Sequence, residues 1–230
     1  MTGLSPQVPV VKQDGREIEV VELGLCPYKD AWELQKLLHQ ELISGRGSER
    51  IITCEHPPVI TCGKSTKTGN LLIDESALSA KGFELFRIER GGDITCHEPG
   101  QLVVYPILDL NRRKRDVSWY MRLLEKIIIE TLADFSVEAN QISGKTGVWI
   151  DAHTKIASIG VRLSRWCSMH GLALNVCNDL TGFSLINPCG FTDIKMTSLS
   201  KELGRTGESV EVEDVRRKLL AHMQGLLGGA

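Results

Sequence analysis

The chain has 230 residues, 42% of them apolar and 24% charged, with 27 basic against 29 acidic side chains. That length suits one sizeable domain with a real core. A net charge of −2 with both signs scattered along the chain excludes a nucleic-acid binder that relies on a basic face, and no apolar run approaches the roughly 18–20 residues that span a bilayer.

The opening MTGLSPQVPVVKQDG has neither an apolar signal-peptide core nor an Arg-rich amphipathic face, so a soluble intracellular protein is expected. EIEVVEL (17–23) alternates as a strand does. YKDAWELQKLLHQELI (28–43) has apolar positions at helical spacing among good helix formers. RIITCE (50–55) reads as a buried strand, His56-Pro57-Pro58 breaks the pattern, and VITC (59–62) begins a second extended piece. STKTGN (65–70) is a turn-rich loop, followed by a short helix near 74–80 and a strand over FELFRIE (83–89). RGGDITCHEPGQLVVYPILDL (90–110) is a glycine-punctuated loop feeding an almost continuous apolar strand, within which Pro106 predicts an edge or a bulge.

DVSWYMRLLEKIIIETLADF (116–135) is the clearest helix, with Asp116 as its N-cap. GVWI (147–150), KIASIGVRL (155–163) and GLALNV (171–176) read as strands, and VEVEDVRRKLLAHMQGLL (210–227) as a helix. Strands and helices mix without strict βαβ alternation, which predicts an α/β (α+β) fold, a mixed β-sheet flanked by helices. One domain over 1–230 is expected, its core at about 17–200 and a helix within 208–230 packed on it.

Seven cysteines (26, 54, 62, 96, 167, 177 and 189) are an odd number without an export signal, so reduced thiols are expected. Cys54 and His56, Cys96 and His97, and Cys167 and His170 lie close in sequence. No CxxC knuckle accompanies them, so no metal site is expected and most of these cysteines read as packing residues.

Four places hold residues capable of chemistry. The glycines of Arg90-Gly91-Gly92 through Gln101 serve either a long hairpin or close approach of backbone to a ligand. His97 and His170 are each open to a structural or a catalytic reading. Lys155 opens a strand rich in small residues at 157, 158 and 160, and is either a solvated edge charge or a lysine aimed into a site. In SLINPCGF (184–191), Cys189 sits at a turn between Pro188 and Gly190. A free thiol ionises near about 8.5, and a neighbouring ammonium favours the thiolate. The Gly190 amide is then available to an oxyanion.

RGGDITCHEPGQLVVYPILDL, KIASIGVRLSRWCSMHGLALNV and INPCGF, in this order, together with EHPPVITCGKS (55–65), resemble the signature blocks of the octanoyltransferases of lipoate biosynthesis. The resemblance covers roughly residues 50–195. It implies the catalytic module shared by lipoate- and biotin-protein ligases, and an acyltransferase that needs no cofactor. By position in those blocks, Cys189 would carry the acyl thioester and Lys155 would lower its pKa and act as general acid and base. Substrate would be held by Arg90, Gly91, Gly92, Asp93, Ile94, Thr95, Cys96 and His97, by Ser158, Ile159 and Gly160, and by Gly171, Leu172 and Ala173, with His170 and Gly190 in support.

The donor implied is octanoyl-acyl carrier protein. The acceptors implied are lipoyl domains of 2-oxoacid dehydrogenase acyltransferase subunits and the glycine-cleavage H protein, met by a monomer in the cytoplasm, or in a mitochondrion or plastid if eukaryotic. Cys96 and Glu98 depart from the family, which commonly has an aromatic residue before the histidine and a glycine after it. Cys96 is expected to leave a gap in the lining of the acyl channel. An ATP-dependent lipoate- or biotin-protein ligase and a non-catalytic acyl-carrier-binding module are the alternatives.

Overall fold

Residues 10–13, 16–187, 194–204 and 210–228 are described by the computed structural model. The first half of the chain forms β1 (Val10–Gln13), β2 (Arg16–Leu25), α1 (Tyr28–Ile43), β3 (Arg50–Glu55) and β4 (Val59–Cys62). It continues with α2 (Glu75–Ala80), β5 (Glu84–Arg87), β6 (Ile94–His97) and β7 (Gln101–Ile107). The second half forms α3 (Val117–Ala133), β8 (Asn140–Ile142), β9 (Lys145–Trp149), β10 (Thr154–Ser164) and β11 (Cys167–Asn175). It ends with β12 (Lys195–Met196), α4 (Leu199–Glu202) and α5 (Val212–Gly228). Asp116 does cap α3, its carboxylate accepting from the Trp119 amide at 3.0 Å.

Among the described residues nine strands form one mixed sheet, ordered β1-β2-β3-β7-β11-β10-β9-β8 with β12 beside β10. Only β2–β3 and β10–β12 are parallel within it. Successive side chains of a strand point to opposite faces. Leu102 and Val104 of β7 therefore join the core under α3 and α5, with Leu124, Ile128, Leu219 and Met223. Val103 and Tyr105 join the core on the other face, with Ala31 of α1. Coverage on both faces is why β7 reads as a continuous apolar run. Each such Leu or Ile contributes about 1.5–3 kcal/mol by leaving water.

A second sheet, β5-β4-β6, builds its own core from Ile60, Ile94 and Cys96 against Leu78 of α2, Leu180 and Phe183. Tyr28 of α1 packs with Val59 and Ile88 and joins this sheet to the large one. The segment expected as a loop from Arg90 onward thus contains a strand, β6, paired with β4 from Val59↔His97 to Cys62↔Ile94.

Pro106 corrects a second expectation. It lies in an interior strand, paired with Ile51 of β3, and not at an edge. The β7–β11 ladder instead stops at Val104↔Leu172. Beyond it the Ser168 hydroxyl donates to the Pro106 carbonyl at 2.7 Å, and accepts from the Leu108 amide at 2.9 Å. A side chain thus continues the contact where proline has no N–H to offer.

Candidate active site

The antiparallel pairing of β10 with β11 sets Ser158 opposite Ala173, Ile159 opposite Leu172, and Gly160 opposite Gly171. A Cβ on Gly160 would lie 2.9 Å from the Gly91 carbonyl oxygen and 3.1 Å from Cδ of Arg90. Glycine at 160 therefore lets the Arg90-Gly91-Gly92 loop lie directly on β10, where the Gly91 amide donates to the Val161 carbonyl at 2.8 Å. The Arg90 guanidinium donates through Nη2 to the carbonyl and the hydroxyl of Thr61, at 2.7 and 3.0 Å, and ties the loop to β4.

These elements enclose a cavity of about 270 Å³, near the lower end of the ~300–1,000 Å³ usual for small-molecule sites. Residues 90–95, His97, Lys155, 158–160 and 170–173 all line it. Three stretches far apart in sequence thus meet at one place. Tyr28, Val103, Tyr105, Val117, Met121, Thr146 and Val161 complete the wall and escaped the sequence reading. A tyrosine opening an amphipathic helix, or inside an apolar strand, carries no signal that separates it from core.

Lys155 is only 3% exposed, which rules out the solvated-edge reading. It stands at the start of β10, paired with Trp149 of β9 and Met196 of β12, and its carbonyl accepts from the Thr197 amide at 3.0 Å. Its ammonium lies 5.2 Å from the centroid of the Trp149 ring, a favourable cation–π placement.

His97 is held through Nδ1, 2.7 Å from Oε1 of Gln101, so that nitrogen carries the proton and donates. Gln101 donates to Oδ1 of Asn175 at 2.8 Å, and Asn175 donates to the Thr197 carbonyl at 2.9 Å. A buried polar chain therefore runs from one cavity wall to the end of β12. Burial pushes the His97 pKa down to about 3. Burial also outweighs nearby Glu89 at His170 and brings its pKa down to about 4. Both imidazoles are neutral at pH 7. His170 has a left-handed backbone, φ 61°, and its amide donates to Oε1 of Gln35 at 3.0 Å.

Cys96 does not line the cavity, contrary to expectation. It is fully buried in the core of the small sheet. The Glu98 carboxylate accepts from the Gly182 amide at 2.8 Å. A Cβ on Gly182 would strike the Cys96 sulfur and come within 2.8 Å of both Glu98 Oε1 and Phe83. Both unusual residues thus meet at one glycine, away from the cavity that Cys96 was expected to line.

Cys189 and Gly190 lie outside the described residues. On one side of them, the Asn187 amide donates to the Asn70 carbonyl at 2.8 Å, and Asn70 donates to cavity-lining Asp93 at 2.6 Å. On the other, Lys195 and Met196 pair with Thr154 and Lys155.

The lipoyl protein ligase A/B catalytic domain matches residues 27–224 of the chain. The chain belongs to this family. An octanoyltransferase from Syntrophotalea carbinolica is 45% identical over 210 residues, covering 91% of this chain and 94% of that protein. One from Christiangramia forsetii is 43% identical over 226 residues, covering 92% and 96%. A structure from an archaeal lipoylation system, described as a bipartite lipoate protein ligase and its E2 lipoyl domain from Thermoplasma acidophilum, superimposes with a TM-score of 0.68 at 16% identity, over 91% of this chain and 83% of that one. Family membership and that superposition agree with the mixed sheet described above. The fold class expected from the sequence is the one observed.

Proposed function

We propose that this chain moves an octanoyl group from the thioester of acyl carrier protein to a lysine of a lipoyl domain, through an acyl-enzyme on Cys189. The observation that carries the reading is a buried lysine, Lys155, on the wall of a cavity built from the same blocks that mark the octanoyltransferase family. The 45%-identical octanoyltransferase from Syntrophotalea carbinolica supports it.

The acyl chain enters the cavity and gains about 0.8 kcal/mol per buried methylene, less the cost of ordering it. The Cys189 thiolate attacks the thioester carbonyl, and backbone N–H groups, that of Gly190 among them, donate to the oxyanion. Collapse expels the carrier thiolate, which takes a proton from the Lys155 ammonium. Lys155, now neutral, receives the proton of the acceptor amine as that amine attacks the acyl-enzyme. The amide forms, Cys189 leaves as thiolate, and both residues return to their starting charge. Thioester exchange is nearly even in free energy and thioester-to-amide transfer runs downhill, so no nucleotide is consumed. Ping-pong kinetics follow.

Lipoyl domains of 2-oxoacid dehydrogenase acyltransferase subunits and the glycine-cleavage H protein are the acceptors, and the working unit is a monomer. The test is incubation with octanoyl-acyl carrier protein and an unmodified lipoyl domain, without ATP, followed by intact-mass measurement of the acceptor. A gain of one octanoyl group is expected. Modification that requires ATP and free octanoate would assign ligase chemistry instead.

A further inference from the structure

We propose that Cys26, Cys54 and His56 form a site for a soft transition-metal cation of the zinc class. Their ligand atoms lie within 4.8 Å of one another. Cys54 Sγ is 3.4 Å from His56 Nε2. That matches the roughly 3.5 Å edge of a tetrahedral site with metal–sulfur and metal–nitrogen bonds of about 2.3 and 2.1 Å. Two sulfurs and one imidazole suit zinc(II), and disfavour magnesium and calcium, which take oxygen.

The fold assembles this set from positions that sequence spacing does not join. β2 and β3 run parallel with Leu25 opposite Glu55, and the Cys26 amide donates to the Glu55 carbonyl at 3.0 Å. Cys26 thereby comes beside the Cys54–His56 pair. Zinc knuckles are recognised by short repeats along one segment, and a parallel register leaves no such trace.

The imidazole is oriented for the role. Nδ1 of His56 lies 2.8 Å from the Cys26 carbonyl, to which it donates, so Nε2 carries the lone pair. A metal-binding histidine is commonly fixed in this way through its other nitrogen. Tyr28 packs edge-on against the ring at 5.2 Å and holds its plane. His56 is fully buried and Cys54 nearly so, whereas Cys26 is partly exposed and offers the entry path. The Tyr105 hydroxyl, 2.8 Å from Nε2, gives up that acceptor when an ion binds. Tyr105 also lines the acyl cavity, so occupancy of the site reaches the cavity wall.

The test is a titration of the full-length, fully reduced protein with Co²⁺, a spectroscopic substitute for zinc. One equivalent should produce thiolate-to-cobalt charge-transfer absorption and tetrahedral ligand-field bands, both removed by added Zn²⁺. Cys26→Ser should weaken Co²⁺ binding beyond the roughly hundredfold that loss of an outer-shell partner can cost. Cys54→Ala should do the same, and Cys177→Ser should not. Absence of the charge-transfer band would overturn the site. So would its survival in folded Cys26→Ser protein, or its loss in Cys177→Ser. Should Cys54→Ala fail to fold, Cys26→Ser decides alone, because its side chain is partly exposed.

Discussion

A Cβ atom on Gly147 would lie 2.5 Å from Cε of Lys155 and 3.1 Å from its Nζ. The lysine side chain crosses β9 at the one residue there that leaves it room. Gly147 also has φ +114°, and its Cβ would come 2.5 Å from the Ala157 carbonyl oxygen, which cannot move aside as a side chain can. Gly147→Ala should therefore destabilise the fold by about 1–3 kcal/mol and displace the ammonium from the cavity wall. Denaturant midpoints and the rate of enzyme acylation, measured on the same preparation, should both fall.

Lys155→Met keeps the aliphatic stem and removes the charge. A general acid and base of this kind contributes roughly 10²–10⁴-fold, and acylation should slow by that order. The pH profile for alkylation of Cys189, followed by peptide mass spectrometry, should move toward the ordinary thiol value near about 8.5. An unmoved pH profile would assign Lys155 to structure.

Gly160 sets how closely the Arg90 loop lies on β10. Gly160→Ala should push on the Gly91 carbonyl and on the Arg90 stem, at an overpacking cost of about 1–3 kcal/mol. The donor KM should rise more than kcat falls, because the acyl cavity changes shape while the transfer residues stay in place. Steady-state kinetics with octanoyl-acyl carrier protein separate the two.

Acid should weaken the fold through the two buried cavity histidines. His97 titrates at about 3 and His170 at about 4 when folded, against roughly 6.5 when unfolded. Between those values the unfolded chain binds more protons, so their contribution is complete above pH ~6.5. It is lost as pH falls, at about 1.4 kcal/mol per pH unit for each histidine. Urea midpoints measured from pH 7 to pH 4.5 should fall, and His97→Asn should flatten the slope. An unchanged slope in that variant would show that His97 is not held neutral.

Long elements were legible because one periodicity served each of them. α1 runs over Tyr28–Ile43 and β3 over Arg50–Glu55, as the pattern of apolar residues predicts. β6 was hidden because Gly91, Gly92 and Pro99 surround a strand of only four residues. Pro106 misled because the Ser168 hydroxyl, distant in sequence, supports the strand beside it. The cavity was legible as separate blocks, since glycines and small residues mark close approach. Its remaining walls were not: Tyr28, Tyr105 and Met121 are placed by packing between layers, which local sequence does not encode. Cys96 was misplaced because a strand expected as loop gives no inward and outward alternation to read.

The central claim rests on where the acyl group goes. Protein incubated with octanoyl-acyl carrier protein, quenched in acid and digested, should yield a single octanoylated peptide containing Cys189, with the adduct released by neutral hydroxylamine. An octanoyl adduct on any other residue, or turnover that persists in Cys189→Ala, would contradict the account.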